Sequence, residues 1–126
     1  MSLEEFHAAV LAFLEQFIAR GAANDVIELS RRLRDNPDDR DRLDAHLHSA
    51  TPSEREAYDA MAAFFWAEAR PDVPAPAGGP SLVLLASWTQ WGTADLLGNE
   101  LTQDPAQWHD WLASVQQTRD RLSAEP

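Results

Sequence analysis

Apolar residues in this chain recur at steps of three and four, and that spacing constrains the fold more than any other feature. Leu3, Phe6, Val10, Phe13, Leu14 and Phe17 follow one another in this way, which gathers them on one side of a helix of 3.6 residues per turn. The stretch opens on Ser2-Leu3-Glu4-Glu5, a capping box in which serine and glutamate satisfy each other's backbone donors. Arg20 and Gly21 close it: a cation suits the negative end of a helix, and glycine can take the left-handed turn that follows.

Comparable signals punctuate the rest. Asn24 can cap a shorter second helix that turns Val26, Ile27, Leu29 and Leu33 inward, and Asn36-Pro37 ends it. A third, mostly charged helix is expected from Pro37 through Leu43 and Leu47 to about Ser49. Thr51-Pro52-Ser53-Glu54 reads as a second capping box, with proline in the first turn. It opens a fourth helix carrying Tyr58, Met61, Ala62, Phe65 and Ala69 on one face, widened by Phe64 and Trp66 and stopped before Pro71. Residues 71–80, PDVPAPAGGP, form a Pro/Gly-rich connection. The run from Leu82 to Leu97 could begin as a buried strand. Its apolar character nevertheless continues for sixteen residues and no partner strand is evident, so a buried central helix is expected. Asp104-Pro105 opens a last helix with Trp108, Trp111, Leu112, Val115 and Leu122 as its apolar stripe. The expectation is a single all-α domain over residues 1–126, a bundle of four long helices with one or two short ones.

The formal net charge is −11, from 21 acids and 10 bases, and every base is arginine. Such a balance repels phosphate backbones, so nucleic acid is excluded as a partner, whereas a basic protein is favoured. The charge is uneven. The window 31–44, RRLRDNPDDRDRLD, holds five arginines and five aspartates; it is either a solvated face of weak ion pairs or a patterned recognition surface. With no lysine and no cysteine, Schiff-base chemistry, thiol nucleophiles, disulfides and thiolate metal sites are all ruled out. Residues 1–5 carry no basic leader pattern, and the longest apolar run, Leu82 to Ala86, cannot span a bilayer. A cytoplasmic protein with no membrane partner is therefore expected.

No motif carries recognisable chemistry. Glu4-x-x-His7 occurs once, without the second copy that a di-iron bundle needs. His46 and His48 project about 200° apart on a helix, and His109 and Asp110 diverge by about 100°, so neither pair makes a metal site or a catalytic dyad. Gly78-Gly79 lacks the lysine of a phosphate loop. Neither catalytic residue nor metal nor cofactor is assigned.

Tryptophan is the unusual component, with five residues, four of them late in the chain. Trp88/Trp91 and Trp108/Trp111 repeat an i, i+3 spacing that would let the pairs face each other across two antiparallel helices. They can be core. They can line a pocket for a small apolar ligand, with Thr89, Gln90 and Asp95 as polar fixing groups. They can also anchor a protein partner. Two functions follow. The first is a small acidic protein-interaction domain (adaptor, inhibitor, or immunity- or antitoxin-like neutraliser of a basic partner) using Glu54, Glu56, Asp59 and Glu68. The second is a ligand-binding or enzymatic bundle around Trp88, Trp91, Asp95, Trp108 and Trp111. The apolar width of the fourth helix, with Phe64, Phe65 and Trp66, adds a homodimer to the expectations.

Overall fold

The computed structural model describes residues 1–22, 24–69, 82–89, 91–94, 100–102 and 105–124. Six helices occur in order: α1 (Leu3–Ala19), α2 (Asn24–Asp35), α3 (Pro37–Asp44), α4 (Glu54–Glu68), α5 (Leu82–Thr89) and α6 (Pro105–Ala124). A short antiparallel hairpin, β1 (Trp91–Ala94) and β2 (Glu100–Thr102), lies between the last two. The fold is all-α, as the apolar spacing predicts, but its long helices are α1, α4 and α6.

Three boundaries differ from expectation for local reasons. Helix α4 is capped by Ser53, whose hydroxyl accepts from the Glu56 N–H, rather than by Thr51. Pro52 is thus left outside the helix, where its carbonyl accepts a bond from the Met1 ammonium at 2.7 Å. Helix α3 ends at Asp44 instead of continuing to Ser49.

The third difference is the central segment. Its helix stops at Thr89, and the chain extends into β1. Thr89 Oγ1 donates back to the Leu85 and Ala86 carbonyls, which removes acceptors from the helix's own ladder. The tripeptide Trp91-Gly92-Thr93 then combines strand formers with a glycine costing about 1 kcal/mol inside a helix. The partner strand lies only a few residues downstream. Trp91 pairs with Thr102 and Ala94 with Glu100, a one-residue slip that marks a bulge. Of the α5 side chains described, Leu82, Leu85, Ala86 and Thr89 are buried and Leu84 is 44% exposed.

The core lies between α1, α4, α5 and α6. Phe13 stacks on Phe65 at 6.2 Å and meets Trp111 edge-on at 6.4 Å. Tyr58 packs against Trp108 at 5.1 Å and Trp111 at 6.3 Å. From α2 and α3, Val26, Leu29, Leu33 and Leu43 close one side. Gly21, at φ +96°, makes the left-handed turn that ends α1. The Pro/Gly-rich connection at 71–80 lies outside the described residues.

Candidate functional site

Carboxylates and tryptophans were the two candidate groups, and each divides once the helices are in place. At 100° per residue, Glu54 and Glu68 fall on one side of α4, whereas Glu56 and Asp59 fall on the other, about 140–200° away from Glu54. Glu54 accepts from Arg119 Nη1 at 2.6 Å. Asp59 is paired with Arg55 at 3.2 Å. Glu68, 15% exposed, sits between Arg32 at 3.2 Å and Arg42 at 2.9 Å. These two cations offset the unfavourable position of a carboxylate at a helix C-terminus. Of the four, Glu56 alone is exposed and outside any ion pair.

Eight of the nine described arginines are committed in the same way. Arg20 grips Asp110 with two hydrogen bonds, at 2.6 and 3.2 Å, while Arg31 holds Glu28 and Arg34 approaches Glu15 at 3.9 Å. Arg40 donates to the Leu33 and Arg34 carbonyls at 2.9 Å, closing the end of α2. Arg42 also holds the buried Asp39. Arg119 bridges Glu54 and Glu5, so α6 is tied to the starts of α4 and α1. The hydrogen bonds it donates to Glu54 and then to Glu5 push the Arg119 guanidinium above its ordinary pKa. The Ser2 backbone N–H and the Arg119 side chain hold Glu5 below the ordinary glutamate value. The 31–44 window therefore spends its cations on Glu15, Glu28, Asp39, Glu68 and two carbonyls. Among the described residues, Glu4, Asp35, Asp38, Asp41, Glu56 and Asp120 remain exposed with no ion pair.

The tryptophans occupy different settings. Trp111 is fully buried and donates Nε1–H to the Glu54 carbonyl at 3.0 Å. Trp108 is half-buried against Tyr58. Both lie in or against the core. Backbone elements alone are described for Trp88 and Trp91, and Gln90 and Asp95 lie outside the described residues. Trp66, grouped by residue type with the apolar width of α4, is 61% exposed, whereas Phe64 and Phe65 are buried. Its helical angle, about 20–80° from Glu56, Asp59 and Ala63, was the available signal.

Polar groups elsewhere hold the helices together. His7 Nε2 lies 2.7 Å from Asp44 Oδ1, joining α1 to the end of α3. Gln16 donates to Ser114 Oγ at 2.6 Å, and Ser114 donates to the Asp110 carbonyl at 2.9 Å. This network across α1 and α6 has no periodic signature in the sequence. Asp110 binds Arg20 and not His109, which is exposed. An open cavity of about 280 Å³ at the start of α1 is lined by Ser2, Glu4, Glu5, Arg119, Leu122 and Ser123. No three His, Asp or Glu side chains converge as metal ligands among the described residues. No described helix is long and apolar enough to cross a membrane. The chain matches no protein-family model, no curated protein and no solved structure.

Proposed function

We propose that this chain is a small acidic interaction domain that docks on a basic partner protein and neutralises it, as an adaptor, inhibitor, or immunity- or antitoxin-like factor does. The observation that supports this reading is how the charge is divided. Eight of the nine described arginines (Arg20, Arg31, Arg32, Arg34, Arg40, Arg42, Arg55 and Arg119) are hydrogen-bonded to, or ion-paired with, carboxylates or carbonyls of the chain itself. Uncompensated acids such as Glu4, Asp38, Asp41 and Glu56 are left facing solvent. A surplus of one sign on a small rigid body accelerates encounter with a body of the other sign.

Affinity capture from the lysate of the source cells, washed at moderate salt and read by mass spectrometry, tests this. One stoichiometric basic protein is the expected result. Recovery of the domain alone overturns the reading and moves attention to a small ligand near Trp88 and Trp91.

A further inference from the structure

Helix α4 carries a solvent-facing strip that the core does not use. In 100° steps, Glu56, Asp59, Ala63, Trp66 and Ala67 fall within an arc of about 100°, and Glu56 to Trp66 spans about 15 Å along the axis. The burial pattern agrees: Glu56, Ala63 and Ala67 are exposed, Asp59 is part-exposed, and Trp66 is the most exposed large apolar residue described, at 61%. We infer that this strip docks an arginine-bearing segment of a partner protein, with Trp66 as the stacking platform and Glu56 and Asp59 as its carboxylates. This inference rests on the interaction reading above and gives it a location and a partner chemistry.

Charge and area select the occupant. An indole face attracts a cation and a carboxylate attracts another, and since Asp59 and Glu56 lie about 10 and 15 Å from Trp66 along the axis, the groups together ask for one segment that carries several cations. Arginine meets both demands, because its planar guanidinium stacks on an aromatic ring and bonds a carboxylate through two donors. The alanines at 63 and 67 keep the strip low enough for a backbone to approach. Asp59 already holds such a group: Arg55, paired at 3.2 Å with both partners more than two-fifths exposed. Glu56, exposed and outside any ion pair, is the carboxylate that the strip leaves open. A second copy of the chain fits poorly. Two bodies of net charge −11 repel, and one indole between alanines falls far short of the roughly 800 Å² per partner that a stable interface buries.

The test is a titration of the full, isotope-labelled chain with a nona-arginine peptide, followed residue by residue by NMR. Expected are the largest shifts at Glu56, Asp59, Ala63 and Trp66, including the Trp66 indole N–H. Trp66→Ala should bind about fivefold more weakly, and nona-lysine should bind more weakly than nona-arginine. Since Trp66 is mostly exposed, the variant retains the wild-type spectrum outside the strip. Shifts centred on Asp38 and Asp41, or spread over every acidic residue, overturn the strip while leaving the interaction reading in place. A peptide that shifts nothing overturns both. Equal binding of nona-lysine overturns the stacking assignment, and a mass twice that of the chain before peptide is added, halved by Trp66→Ala, assigns the strip to a second copy.

Discussion

Trp111 and Trp66 differ in little but their helical angle, and that angle decides what each is worth. Trp111 fills the space between Phe13, Tyr58 and the Glu54 carbonyl. Trp111→Ala should therefore cost about 3–5 kcal/mol in denaturant unfolding, whereas Trp66→Ala should change stability by about 0.5 kcal/mol or less. Equal effects would mean that the two tryptophans share one environment. Glu5 supplies a pH signature. Its folded pKa is depressed by the Ser2 N–H and by Arg119 from an ordinary value of 4.5. The stability it contributes is thus complete above that value and is lost as pH falls through the folded pKa. Urea midpoints for wild type and Glu5→Gln should therefore converge as the pH drops below about 4; a gap that stays constant would remove Glu5 from the acid response. The buried stripe of α6 was legible because Trp111 and Val115 share one phase. Trp66 was misplaced because residue type was weighed ahead of phase.

At the scale of elements, the apolar period located the helices well and their ends less well. Thr51 and Ser53 each precede a glutamate at the spacing of a cap, and only the backbone decides between them. Ser53→Ala should cost about 1 kcal/mol and Thr51→Ala almost nothing, as read by thermal unfolding; the reverse order would restore Thr51 as the cap. The central segment shows a different limit. Leu82 to Ala86 is apolar enough for helix or strand, and what ended the helix was the local chemistry of Thr89 and Gly92, together with a pairing partner of three residues. A strand this short leaves no alternating pattern to detect. The candidate carboxylates met the same limit: sequence supplied their number, but whether each had an arginine at hand depended on how α2, α3 and α6 pack around α4.

For the whole molecule, the excess negative charge should act on the rate of meeting a partner more than on the strength of the final complex. With the captured partner in hand, Asp38→Arg combined with Asp41→Arg should slow association severalfold at low salt and flatten its dependence on ionic strength, measured by stopped flow. Unchanged rates would remove α3 from the encounter surface. The packing of α1 against α6 bears on how the protein is made. Gln16 and Ser114, bonded across that interface, are 98 residues apart in sequence. Helix α1 leaves the ribosome long before α6, so the part of its apolar side that α6 covers waits while α2 to α5 are synthesised. Phe13 meets Trp111 only once α6 has been made, and a nascent chain stalled before Pro105 would present that part to chaperones and proteases instead.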